Sequence, residues 1–358
     1  MNTLNPVAAN RPARESILIT LCRVWSLRAG ASGVLLALLL ACSATEPSHH
    51  ALDGASVTLA RTGRHLHLNC QGSGSPTVLL EAGMAGWSTD WALVQGAVAT
   101  HTRTCAYDRA GYGASDPPAP AGAPTPQNDL QDLLDSDPLA GPVVLVGHSM
   151  GGLLVADYAR RHPERVAGLV LVDAVHRQQD VDDHPTVHSG EYARQRAALT
   201  RLADWAVWLA PTGVLRLSGT SASLVAPRLP EPARSQALAT AWSRSAYAAI
   251  RAENAGFDAW LALARQAGPL PQVPAAVLSS TQPRDFPPGF DTPGMQSLWA
   301  WRQMQLAQEL GVSAQAMANS GHYPHVDQAP QVVQAVLRVL QQARRGVVQE
   351  QAPQSSPS

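Results

Sequence analysis

The chain has 358 residues, with 26 basic residues against 27 acidic ones and a formal net charge of −1. That length is enough to bury a sizeable core in one large domain or two small ones. Every basic residue is an arginine, and no basic stripe breaks the near-neutral balance, which excludes nucleic acid as a partner.

Residues 1–41 read as an export signal. Arg11, Arg14, Arg23 and Arg28 precede the apolar run AGASGVLLALLLAC, which ends at Cys42. The run is shorter than the roughly 20 residues a membrane span needs, and it has the length of a signal-peptide apolar core. It closes on Leu39-Leu40-Ala41-Cys42, which resembles a bacterial lipoprotein box, although Leu40 is unusual at its place. On this reading Cys42 carries a lipid and attaches an exported protein to the membrane, in the periplasm or envelope. The alternative is ordinary secretion with cleavage nearby. Residues 42–56 then form a polar tether.

Next, 57–176 and 269–345 alternate strand and helix patterns. VTLART (57–62) and HLHLNC (65–70) flank Gly63 and predict a hairpin. TVLLEAG (77–83) is a continuous apolar run, as expected of a strand buried on both faces. A helix is expected over 90–99 and a strand over 103–109. Cys70 and Cys105 fall on neighbouring predicted strands; in an exported protein they form a disulfide or remain two unpaired core cysteines. Thr125-Pro126 offers a helix N-cap followed by proline in the first turn. Residues 142–147 predict a strand and 150–161 a helix that His162-Pro163 ends. VAGLVLVDAV (166–175) is a further buried strand.

The alternation then stops. Residues 177–268 are helical, rich in Ala, Trp and Arg, and broken at Pro211 and over 227–232. They read as an insertion that caps the core. VPAAVLSST (273–281) resumes the strands, followed by a helix over 295–310, a short strand within 312–322 and an amphipathic helix over 331–345. Residues 346–358, polar and rich in Pro and Ser, are expected to be disordered. Strands separated by helices define an α/β class, a mostly parallel sheet with helices on both faces. Such sheets hold their chemistry at the carboxyl ends of the strands.

Ser149 lies at such an end, in Gly147-His148-Ser149-Met150-Gly151. A G-x-S-x-G pentapeptide means little alone, but here it follows a VVLV strand and opens a helix. Glycines on either side let strand and helix approach, and the helix N-terminus offers N–H groups to a developing oxyanion. Ser149 is therefore the candidate nucleophile rather than a helix cap. A serine needs a base, which on such a sheet comes after the acid and near the C-terminus. SGHYPH (320–325) supplies His322 as the base, with His325 read as a structural or rim histidine and His148 as packing. Two carboxylates could orient the imidazole: Asp173, at the end of a buried strand, is preferred, and Asp285, in a Pro-rich loop after the next one, is the runner-up. The oxyanion donors are expected at the Met150 and Met84 backbone amides.

EAGMAGWSTDW, YDRAGYGASD, VLVGHSMGG, LVLVDAVH and SGHYPHVDQAP, in this order, resemble the α/β-hydrolase superfamily. The resemblance covers 57–345 apart from most of the insertion. It implies a Ser149, Asp173 and His322 triad, Met84 and Met150 as oxyanion hole, and structural roles for Asp108, Arg109 and Ser115. Two features depart from the pattern. Ala82-Gly83 stands where His-Gly is common, and the carboxylate after the seventh strand is off the usual spacing, which keeps the acid open between Asp173 and Asp285. Ser149 argues against the aspartate-nucleophile dehalogenases and epoxide hydrolases. The implied reaction is hydrolysis of a small or medium, largely apolar carboxylic ester through an acyl-enzyme, with no cofactor and no metal; HxxH at 322–325 is not a zinc pattern on a helix. Trp205, Trp208, Trp242 and Trp260 are expected to line an acyl pocket or pack the cap core. An aminopeptidase or amidase on the same residues is the second reading, with Asp180, Asp182 and Asp183 as an ammonium site, and a non-catalytic ligand-binding protein is the third.

Overall fold

The computed structural model describes residues 54–118 and 125–350. The export segment, Cys42 and the tether as far as residue 53 lie outside the described residues. Among the described residues no helix is long and apolar enough to cross a membrane.

Among the described residues eight strands form one sheet: β1 (Ala55–Thr58), β2 (His65–Gln71), β3 (Thr77–Glu81), β4 (Thr104–Tyr107), β5 (Val143–His148), β6 (Val166–Val172), β7 (Ala275–Ser280) and β8 (Ala314–Met317). Their spatial order is β1-β2-β4-β3-β5-β6-β7-β8. The β1–β2 and β2–β4 pairs are antiparallel, and all the others are parallel. Cys70 sits opposite Cys105 in the β2–β4 ladder, and the two form a disulfide.

The period of two sorts the central strands between two cores. Leu79, Leu145, Leu169 and Leu171 join one hydrophobic cluster, while Val78, Leu80, Val144, Val146, Val170 and Val172 join the other. The first face is covered by α2 (Pro126–Asp135), α3 (Met150–Arg161) and α9 (Pro293–Glu309). The second is covered by α1 (Ala92–Ala99) and α11 (Ala329–Glu350). Burial on both faces explains why these strands read as continuous apolar runs. Helix α11 continues to Glu350, into the stretch expected to be a disordered tail. Between β8 and α11 the chain makes the single turn α10 (Pro324–Asp327).

The insertion between β6 and β7 folds as α4 (Pro185–His188), α5 (Glu191–Leu209), α6 (Val214–Leu217), α7 (Ala233–Thr240) and α8 (Arg244–Gln266). It has its own small-residue core, in which Ala203, Ala226, Ala237, Ala241 and Ala246 pack with Tyr247 and reach Trp87 and Tyr112 below. This places a helical layer over the carboxyl ends of β3, β5 and β6.

Candidate active site

Ser149 occupies the bend between β5 and α3 at φ 51°, ψ −121°, a strained conformation for a residue with a Cβ. The neighbours explain how it is held. A Cβ on Gly147 would lie 2.7 Å from the Gly151 carbonyl oxygen, and one on Gly151 would lie 2.6 Å from that of Glu81. The Ser149 amide donates to Val172 O at 3.1 Å, and the Val175 amide donates to Ser149 O at 2.9 Å. The bend is thereby fixed to the end of β6.

That strand end brings the partners together. Ser149 Oγ lies 3.0 Å from His322 Nε2, and His322 Nδ1 lies 2.7 Å from Asp173 Oδ2. A carboxylate only accepts, so Nδ1 carries the proton and Nε2 is left to accept from the hydroxyl. Asp173 is fully buried at φ 46°, and its second oxygen accepts from the Ser280 amide at 2.8 Å. Asp285 makes no hydrogen bond to His322; its Oδ2 accepts instead from Arg228 Nη2 at 2.7 Å. The imidazole is held from the side by Phe286, stacked at 4.4 Å, and by the edge of Trp299 at 5.3 Å.

The other two histidines lie behind the bend. His148 Nε2 donates to the His322 carbonyl at 2.6 Å and so braces the loop carrying that imidazole. His325 is fully buried, not at the rim, and neither of its nitrogens has a hydrogen-bond partner. Burial, with a smaller contribution from His322, pushes His325 down to about 3. Burial likewise drives His148 well below the usual imidazole range. Both are neutral packing groups at physiological pH.

Met84 and Met150 both line the cavity that holds Ser149. The Met84 loop leans on the bend, since a Cβ on Gly83 would lie 3.2 Å from Ser149 Cβ. A buried arginine that sequence reasoning left as merely structural holds this loop. Arg109 donates to Ala82 O at 2.7 Å and Gly83 O at 2.6 Å, and it pairs with Glu81 and with Glu253 of α8, each at 2.7 Å. Glu253 also accepts from Tyr112 Oη at 2.7 Å. Burial pushes the Glu81 carboxyl up, against the opposing pull of Arg109 and the Tyr107 hydroxyl. The network joins core, loop and cap. Nothing in the spacing of Arg109 and Glu253, 144 residues apart, could have paired them. Asp108 and Ser115 do stay structural: Asp108 Oδ1 accepts from the Ser88 amide at 2.8 Å, and Ser115 Oγ donates to Asp108 O at 2.6 Å.

The cavity measures about 60 Å³, room for a few small groups. Its apolar wall comprises Val175, Leu199, Phe257, Phe286, Pro287, Phe290 and Trp299, and its polar wall comprises Gln179, Tyr192 and Arg196. Of the two places open to the four tryptophans, an acyl pocket or a packed core, none of the four lines this cavity. Trp205 and Trp208 are exposed by 64% and 73%, Trp260 is buried in the first core, and Trp242 stacks under Arg216. The pocket aromatics come from α8, the loop after β7 and α9, because that loop folds back under the cap. The three cap acids are paired off as well: Asp180 with Arg265, Asp182 with His188, and Asp183 with Arg302. Among the described residues no group of three or more His, Cys, Asp or Glu could hold a metal.

The profile of the Alpha/beta hydrolase family matches residues 66–335. A cis-3-alkyl-4-alkyloxetan-2-one decarboxylase from Shewanella oneidensis is 34% identical over 119 residues, which make up 32% of this chain and 37% of that protein. The chain thus spans about a third of the length of the curated relatives it matches (35% and 37% for two of them). Among solved structures, an enol-lactonase from Burkholderia xenovorans LB400 gives a TM-score of 0.53 at 23% identity, covering 80% of this chain and 100% of that one. A thermophilic esterase from Thermogutta terrifontis gives 0.52 at 21%, covering 82% and 99%. At these identities the likeness is one of fold.

Proposed function

The chain belongs to the alpha/beta hydrolase family, and on that premise we propose that it is a serine esterase that cleaves small carboxylic esters through an acyl-enzyme. The observation that carries the reading is the unbroken path from Ser149 Oγ to His322 at 3.0 Å and on to Asp173 at 2.7 Å. Ser149 attacks the ester carbonyl while His322 Nε2 takes its proton. Asp173 holds the imidazole in the tautomer that can accept, and it steadies the imidazolium that forms. The Met84 and Met150 amides receive the oxyanion. His322 then protonates the leaving alcohol, and water repeats the sequence on the acyl-enzyme.

The small cavity favours short substrates. The amidase reading loses its support, because none of its three acids lines the cavity, and Asp180 and Asp183 are each paired with an arginine. A purely binding role leaves the strained Ser149 and its aligned imidazole without a purpose. Export with a lipid on Cys42 belongs to the same proposal. A disulfide between Cys70 and Cys105 supports it, since such bonds persist in oxidising compartments. Radiolabelled palmitate should enter the wild type and not Cys42→Ala.

The test of the chemistry is an active-site fluorophosphonate. It should label the wild type stoichiometrically and leave Ser149→Ala unlabelled, and hydrolysis of p-nitrophenyl acetate should fall by roughly 10⁴-fold or more in that variant. Equal labelling of both proteins would place the nucleophile elsewhere.

A further inference from the structure

The cavity wall carries polar atoms that the protein itself leaves unpaired. Gln179, Tyr192 and Arg196 are 2%, 4% and 7% exposed. Neither amide atom of Gln179, nor the Tyr192 hydroxyl, nor Arg196 Nε has a hydrogen-bond partner. Each such group costs about 1–3 kcal/mol when nothing satisfies it, and buried polar groups in native proteins are nearly always bonded. All three line the cavity that holds Ser149. Tyr192 and Arg196 are four residues apart on α5, so one helix face presents both.

Arg196 is held in place rather than satisfied. Its Nη1 donates to Asn254 Oδ1 at 3.2 Å and its Nη2 to Asn254 O at 3.0 Å, and its guanidinium lies over the Phe257 ring at 4.4 Å. Asp258, 3.6 Å from Nε, is 68% exposed. A solvated carboxylate offsets a buried cation only weakly. Two of the five guanidinium N–H groups are used by Asn254, and Arg196 lines the cavity with three N–H groups that no hydrogen bond takes. Arg196 only donates, while Tyr192 and Gln179 can donate, so the complementary ligand is rich in acceptors and negatively charged. A planar carboxylate matches the guanidinium fork.

The geometry points to Gln179, Tyr192 and Arg196 as a carboxylate subsite, so that the substrate is an ester that also bears a free carboxylate, such as a half-ester of a short dicarboxylic acid or an acyl ester of a hydroxy acid. This rests on the esterase reading of Ser149. It replaces the largely apolar ester expected from the sequence. A small cavity and one buried cation together select short acids over long alkyl chains.

Two matched substrate pairs test it: monoethyl succinate against ethyl succinamate, and O-acetylglycolate against O-acetylglycolamide, with product acid followed by chromatography. In at least one pair the anion should exceed its neutral partner by about tenfold or more in kcat/KM, as expected for a hydrogen bond to a charged group. In Arg196→Met that ratio should fall to about one, and in Tyr192→Phe, which removes a single oxygen, it should fall partway. Succinate should protect Ser149 from fluorophosphonate where succinamide does not, and Arg196→Met should abolish the protection. If Arg196 merely packs the cap, the variant loses thermal stability while the anion-to-neutral ratio and the protection stay as in wild type, and the subsite is overturned. If Ser149 is labelled but the wild type shows neither preference nor protection, the subsite alone falls. If Ser149 is never labelled and neither pair is cleaved, the esterase reading falls and the subsite falls with it.

Discussion

The loops after β6 and β7 begin almost alike and end in opposite roles. Each carries an aspartate in the left-handed region, Asp173 at φ 46° and Asp285 at φ 67°. Asp173 is sealed from solvent, with one oxygen on His322 and the other on the Ser280 amide. Asp285 keeps a fifth of its side chain exposed and pairs with Arg228 and Arg284. A carboxylate can hold an imidazolium only where water cannot screen it and where its own oxygens are already aimed. The loop after β6 meets both conditions, while the loop after β7 supplies Phe286 to the imidazole and uses its acid as a surface strap.

The sharpest way to break this contrast is to neutralise each acid in turn. Asp173→Asn keeps the shape but favours the wrong tautomer, and it should lower kcat by roughly 10⁴-fold. Asp285→Asn should cost less than about fivefold, because a solvent-exposed pair contributes little. Steady-state hydrolysis of p-nitrophenyl acetate by the two variants decides it. Comparable losses would mean that the imidazole changes partner during the reaction.

Much of this was legible in the residues. The alternation of buried strands and helices fixes the class, and a serine between glycines at a strand end marks the bend, because few other sequences tolerate such a backbone there. The choice between Asp173 and Asp285 was not legible. Both follow strands, and what separates them is burial and an amide from Ser280 more than a hundred residues away. The cavity wall was equally hidden. Tyr192, Arg196 and Leu199 follow the same helical spacing whether their face meets a core or a cavity. Tryptophans drew attention by size, yet Trp205 and Trp208 point to solvent. The disulfide partners were visible as residues on adjacent strands, while their direct opposition comes from the β2–β4 register.

The contrast between a partnered and an unpartnered group recurs in the histidine loop, where it becomes a pH dependence. His322 has the Asp173 carboxylate in hydrogen-bond contact, whereas His325 sits among Trp91, His148 and Tyr323 with no anion in contact. Its folded pKa, about 3, lies below the ordinary 6.5. Below pH 6.5 the unfolded chain takes up a proton that the folded state refuses, so stability is lost as pH falls. Between pH 7 and pH 5 this one group should remove about 2 kcal/mol. Urea unfolding of His325→Phe should therefore show a decline smaller by that amount. An unchanged decline would mean that His325 finds an acceptor or water that takes its charge.

The smallest expected effect tests the strap itself. Arg228 reaches from the cap to Asp285 at 2.7 Å and Asp327 at 2.7 Å, and Asp327 in turn accepts from the Gly321 amide, next to His322, at 2.9 Å. The side chain is 45% exposed, so removing the pair should cost at most about 1 kcal/mol, and less in 1 M salt. The backbone complicates the simplest variant, because Arg228 sits at φ 62°. Alanine keeps that strain, whereas glycine relieves about 1 kcal/mol of it. Arg228→Ala should therefore melt a few degrees below wild type, and Arg228→Gly should melt close to it. Both should keep kcat within about threefold, since the His322 imidazole is also held by Phe286, Trp299 and Asp173. If both variants instead lost activity by orders of magnitude while melting normally, the strap would be positioning the imidazole. The division between a working loop after β6 and a supporting loop after β7 would then have to be redrawn.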